Sequence, residues 1–139
     1  MMGKLYLKIY RWVLRAAVEL LDLFPPRRIE IEEFALRKGS LPEDLQIPES
    51  GTIWVHGASL GEVITLRPFL KELGRLYGRQ RIVCTATTLD GLRQLKKDEL
   101  CGFATLLPIE LPALVVPFLD RIKPKILLIS ETEIWPLLL

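Results

Sequence analysis

The stretch Thr52-Ile53-Trp54-Val55-His56-Gly57-Ala58-Ser59-Leu60-Gly61-Glu62 changes character half-way. Its first part is a short apolar run of the kind a buried strand makes. Its second part is a Gly- and Ala-containing turn that opens a helix with a carboxylate in the first turn. Such a strand–turn–helix junction brings a titratable oxygen, a hydroxyl and free backbone N–H groups to one edge of a sheet. In open α/β proteins that edge is where ligands bind.

Outward from this junction, strand-like and helix-like patterns alternate. Strands are predicted at 52–56, 81–86, 103–107 and 125–130, and helices at 62–77, 89–98 and 112–122. Pro117 inside the last helix predicts a kink or an early end. Continuous apolar strands alternating with helices imply a parallel sheet covered on both faces. Behind the strands follow His56, Ser59 and Glu62; then Thr85, Thr87, Thr88 and Asp90; then Pro108 and Glu110; then Ser130, Glu131, Thr132 and Glu133. The strand starts offer mainly Arg81 and Lys125. Acceptor-rich groups therefore gather at the carboxyl ends.

Toward the amino terminus the pattern is different. Residues 5–24 have the length of a membrane span, but Lys4, Lys8, Arg11, Arg15, Glu19 and Asp22 recur every three or four residues. At about 100° per residue they occupy an arc of about 80°. Placing Arg11 and Arg15 at a bilayer centre costs about 2.5–3.5 kcal/mol each. An amphipathic helix lying in the interface keeps that stripe wet. The bases lead and the acids trail, against the helix dipole, and anionic lipid headgroups would favour such an order. The segment lacks the charge-free core and cleavage site of a signal peptide. Docking on a protein surface is the alternative cover for so wide an apolar face. Pro25-Pro26 ends this helix, a short acidic helix-like piece follows, and residues 39–50, with two prolines, Gly, Ser and three acids, read as a linker. The expected organisation is thus 1–38, 39–50 and 51–139.

Composition narrows the function classes. The chain has 139 residues, half of them apolar, and a net charge of +2, which suits one domain with a real core and argues against nucleic acid as the main partner. Two cysteines outside any C-x-x-C pair form no disulfide framework, and they read as reduced core residues in a cytosolic setting. With one histidine they also leave no zinc site.

Each candidate group has a structural reading beside the functional one. Glu62 can take a proton from an attacking hydroxyl, yet Ser59-x-x-Glu62 is also a capping box. The helix dipole favours its ionised form and makes it a weak base, suited to an activated substrate. The N–H groups of Ser59, Leu60 and Gly61 can meet a phosphate or carboxylate. His56 can be a satisfied strand-end histidine, and Thr88 an N-cap. Glu131 and Glu133, one residue apart, need not share a face.

Four stretches, WVHGASLGE (54–62), TATTLDG (85–91), LPIELP (107–112) and PKILLISETEIWP (124–136), together resemble the Kdo transferases of lipopolysaccharide biosynthesis, glycosyltransferases of the GT-B type. The amino-terminal helix is similar to that family's membrane-anchoring segment. The resemblance implies an incomplete, Rossmann-like amino-terminal (acceptor) half. It implies transfer of 3-deoxy-D-manno-octulosonic acid from its CMP-activated form to a lipid A precursor, with inversion, no covalent sugar–enzyme intermediate and no cofactor. The setting it implies is the cytoplasmic face of the inner membrane. It assigns Glu62 as general base and His56, Ser59, Gly61, Thr85, Thr88, Glu131 and Glu133 as acceptor-site or architectural residues. Glu110 and Leu137 stand where the family usually has Asp and Asn. The family's second domain holds most of the CMP-sugar site, and Leu137-Leu138-Leu139 reads as an interrupted helix, so the chain alone is expected not to transfer Kdo. The other class of function is a non-catalytic, membrane-associated module that binds lipid or phosphate.

Overall fold

A computed structural model describes residues 2–23 and 31–131. The expectations for Glu133, Trp135-Pro136 and the apolar carboxyl-terminal end lie outside the described residues. The elements are α1 (Met2–Leu23), α2 (Ile31–Arg37), β1 (Thr52–His56), α3 (Leu60–Tyr77), β2 (Ile82–Ala86), α4 (Leu89–Asp98), β3 (Phe103–Leu106), α5 (Pro112–Ile122) and β4 (Pro124–Ile129), with a 3-10 turn Arg79–Arg81 before β2.

The strands form one parallel sheet in the order β3-β2-β1-β4. The chain winds from β1 to β2 and β3 in one direction, then returns to place β4 on the other side of β1. That reversal puts a topological switch point between β1 and β4, where a crevice opens outside the strand ends. This is a Rossmann-like α/β fold, preceded by the amphipathic helix α1.

Two apolar layers sandwich the sheet. On one face Ile53, Val55, Ile82, Cys84 and Leu106 pack against Val63, Leu70 and Leu73 of α3 and Leu92 and Leu95 of α4. On the other, Trp54 and Val83 pack against Phe118 and Ile122 of α5, with the Trp54 and Phe118 rings edge-on at 5.6 Å. The period-2 alternation of side chains along β1 makes this division. Leu41 and Ile47 join the second layer, and the Arg121 guanidinium donates to the carbonyls of Glu43 and Leu45, so residues 41–47 lie against the domain. An Arg67–Asp98 pair, at 2.7 and 2.9 Å, ties α3 to α4.

Pro117 does not end α5, which runs on to Ile122. The proline removes only the bond to the carbonyl four residues back. Ala113 and Pro117 are both exposed, so that carbonyl faces water. Pro68 sits within α3 in the same way, opposite exposed Ile64.

The wide apolar circumference of α1 divides in two. Tyr10 and Leu14 are half-buried and Val18 is buried. Ile9, Trp12, Val13, Leu20 and Leu23 are bare, Trp12 and Leu23 to 72%. Among the described residues no helix is long and apolar enough to cross a membrane.

Candidate functional site

The carboxyl ends of the four strands are joined into one hydrogen-bonded rim, and the tip of β1 is its hub. Gly57 N–H donates to Thr85 O at 3.1 Å. The Ala58 carbonyl accepts from Thr87 N–H at 2.9 Å and from Thr88 N–H at 3.1 Å, with the Thr88 hydroxyl at 3.4 Å. Ser130 N–H donates to His56 O at 2.9 Å, bringing in β4. Leu107 N–H donates to Ala86 O at 2.8 Å, bringing in β3. The fit depends on glycine at two places. A Cβ on Gly57 would lie 2.9 Å from Leu66, and one on Gly91 would lie 3.0 Å from Ala86 Cβ and 3.1 Å from the Thr88 hydroxyl.

Glu62 stands at the third position of α3. Its Oε1 accepts from the Ser59 hydroxyl and its Oε2 from Ala58 N–H, both at 2.9 Å. Ser59 Oγ in turn accepts from Glu62 N–H at 3.3 Å. This is the reciprocal cap of a helix start, displaced by one residue because the carboxylate reaches Ala58 rather than the N-cap N–H. The side chain is only half-buried. Each carboxylate oxygen carries a second acceptor direction beyond the bond it makes, so a capped Glu62 can still receive a proton. The same contacts fix its orientation at the hub of the rim.

Ser59 is half-buried, and Gly61, Thr88 and Glu131 are exposed at the rim. Thr88 is the N-cap of α4, accepting from Gly91 N–H at 3.2 Å. Gly61 has open space on the side where a Cβ would project, the nearest atom being Ser59 Oγ at 3.9 Å. Glu131 follows the end of β4, across the switch point from the β1–α3 turn.

His56 and Thr85 lie beneath the rim rather than on it, 2% and 0% exposed. They are paired in register across β1 and β2. The Thr85 hydroxyl accepts from the Trp54 indole N–H at 2.9 Å and meets His56 Nδ1 at 2.8 Å. One hydroxyl thus serves two buried polar groups, and the network anchors the tip of β1 from below. Of the two roles expected for them, acceptor-site or architectural, this burial favours the architectural one, as supports of the rim. His56 ends β1, and Thr85 is the last residue but one of β2, followed by buried Ala86.

Two residues at this edge were not singled out by the sequence as site groups. The Arg37 guanidinium pairs with Glu33 at 2.8 Å and donates to Thr87 O at 3.1 Å, while Arg37 O accepts from Ile109 N–H at 2.7 Å. α2 therefore clips two rim loops together. Glu110, noted among the groups behind the strands and as a departure from the family pattern, is buried at 2% exposure and accepts from the Tyr10 hydroxyl of α1 at 2.9 Å. Contacts 50 and 100 residues apart in sequence leave no local signal. Among the described residues, no group of three or more His, Cys, Asp or Glu side chains could hold a metal ion.

A family profile described as 3-Deoxy-D-manno-octulosonic-acid transferase (kdotransferase) matches residues 32–139. The chain is similar to the 3-deoxy-D-manno-octulosonic acid transferase of Aquifex aeolicus, with 35% identity over 108 residues, 77% of this chain and 30% of the relative. It is similar to the Haemophilus influenzae enzyme of the same name, with 34% identity over 92 residues, 64% of this chain and 21% of the relative. A probable mitochondrial transferase of that name from Arabidopsis thaliana matches at 29% over 90 residues, 64% of this chain and 20% of the relative. The chain spans less than a third of the length of these relatives.

Proposed function

Because this chain belongs to the Kdo transferase family, we propose that it supplies the acceptor half of a Kdo transferase, with Glu62 as general base. The acceptor would be a sugar hydroxyl of a lipid A precursor. Glu62 would take that hydroxyl's proton as its oxygen attacks the anomeric carbon of CMP-Kdo, with inversion and with CMP leaving. A carboxylate is a weak base, which is sufficient when the donor brings its own good leaving group. Ser59 and Ala58 N–H orient the carboxylate. Gly61, Thr88 and Glu131 line the same rim and would contact the acceptor, while His56 and Thr85 hold the β1 tip that carries it. Glu133 belongs to the same proposed set on the strength of the motif. Most of the donor site would lie in a second domain beyond this chain. The observation that carries the reading is a half-buried carboxylate held on the β1 tip, the tip that bonds those of β2 and β4.

The setting we propose is the cytoplasmic face of an inner membrane. The bare arc of α1 would enter the lipid interface, and Lys8, Arg11 and Arg15 would lie among anionic headgroups. The basic stripe beside the apolar arc argues for lipid as the occupant.

The competing reading, a non-catalytic lipid- or phosphate-binding module, draws on the cap itself, since both Glu62 oxygens already have partners. The test joins this chain to the remaining length of its Aquifex aeolicus relative and measures Kdo transfer from CMP-Kdo to a lipid A precursor. The assembled protein is expected to turn over and the 139-residue chain alone is not. Turnover by the chain alone would refute the two-domain reading. A folded, vesicle-bound assembly without transfer would favour the non-catalytic module.

A further inference from the structure

The helix α1 and the rim are far apart in sequence yet share a bond, and its position around the helix has a consequence. At about 100° per residue, the bare residues Ile9, Trp12, Val13, Leu20 and Leu23 fall in one arc of about 100°. Lys8, Arg11 and Arg15 occupy a second arc. The less exposed residues Tyr10, Leu14 and Val18 occupy a third. Leu14 and Val18 stand about 150° and 170° from the centre of the bare arc, almost behind the helix as seen from a lipid surface. Tyr10 stands only about 110° away, on the flank that leads toward that surface. It is Tyr10 that bonds the rim, at buried Glu110 in the β3–α5 turn.

We propose that the Tyr10–Glu110 hydrogen bond is a positioning contact that sets the rotation of α1 about its own axis, so that the carboxyl rim lies on the lipid-facing flank of the domain. The proposal rests on the reading of α1 as an interfacial helix. A helix with a bare apolar arc enters lipid in one rotational setting, because turning it buries the basic stripe. A partner bonded at a fixed angle on that helix is then carried to a fixed height. Apolar contact of the kind that covers Val18 tolerates rotation, whereas a hydrogen bond is directional. The contact thus converts membrane binding by α1 into presentation of the rim to a lipid-borne substrate.

Hydrogen exchange of the 139-residue chain, with and without vesicles of phosphatidylcholine and phosphatidylglycerol, tests this. In the unmodified protein, vesicles are expected to protect α1 and also segments 57–62 and 107–111. In Tyr10→Phe, protection of α1 is expected to persist while protection of the two rim segments is lost, with exchange in β1 and β2 unchanged. Glu110→Gln, whose amide oxygen still accepts from the phenol, is expected to restore the unmodified pattern, and Glu110→Leu to repeat the loss. Should Tyr10→Phe fail to fold, the Gln and Leu pair carries the test. Rim protection that survives both Tyr10→Phe and Glu110→Leu, or that is absent from the unmodified protein while α1 is protected, overturns the positioning role. Absence of α1 protection in the unmodified protein overturns the interfacial reading itself, and the positioning role with it.

Discussion

The two edges of the sheet are built for different ends. The amino edge holds a cavity of about 480 Å³, lined by Arg79, Lys96, Glu99, Cys101 and Gly102 among others. The carboxyl edge gathers Ser59, Glu62, Thr88 and Glu131 around backbone groups that bond one another from strand to strand. The amino edge has volume with little convergence. Arg79 there is spent on the Glu99 carbonyl at 2.7 Å. Its Cys101 thiol is held below the usual thiol range by the Cys84 thiol, and Cys84 is pushed up by that same contact and by burial, an arrangement internal to the protein. Size points to the amino edge, whereas directed polar groups at a topological switch point favour the carboxyl edge proposed as the site.

The sharpest structural test of the carboxyl edge is Thr85→Val. It removes the hydroxyl that serves both the Trp54 indole and His56 and leaves those buried groups short of a partner. Roughly 1–3 kcal/mol is the expected loss, read as a lower urea midpoint. A loss no larger than that of a surface substitution would show that the rim does not depend on support from below.

How far the sequence foretold this comparison depends on the range of each interaction. The strands and most helix limits were legible because apolar runs and local periodicity determine them. The cap of Ser59 and Glu62, three residues apart, was legible for the same reason. The depth of His56 and Thr85 was not, since a strand's last covered residue depends on what packs above it. On α1 the charged stripe was plain, but the apolar remainder read as one face. Periodicity gives an angle and does not say which neighbour lies there, so Tyr10 and Trp12 looked alike. The clip made by Arg37 and the burial of Glu110 depend on partners 50 and 100 residues away. Pro117 does not end α5, because its lost bond falls on an exposed side of the helix.

A smaller effect is expected away from both edges. Asp98 is held below the usual carboxylate range, first by its bond to Arg67. A depressed native value contributes stability that is complete above the unfolded carboxyl range, near pH 4, and lost as pH falls through the lowered native value. Asp98→Asn should therefore flatten the acid limb of the urea midpoint below roughly pH 4. The change will be modest, because a partly exposed pair is screened by water and salt. An acid limb identical in the two proteins would show that α3 and α4 are held by their apolar contacts alone.

The account stands most directly on Glu62→Gln in the assembled two-domain enzyme, with transfer rate and urea midpoint measured on the same preparation, and Lys96→Ala at the opposite edge as the reference. The amide keeps an acceptor for Ala58 N–H and loses the base. Transfer is expected to fall roughly 10²- to 10⁴-fold, the contribution of a general base, while stability falls by no more than about 1 kcal/mol, the scale of a helix cap, and Lys96→Ala leaves both unchanged. Transfer by Glu62→Gln that falls only as far as the folded fraction falls would contradict the account and leave Glu62 as a cap.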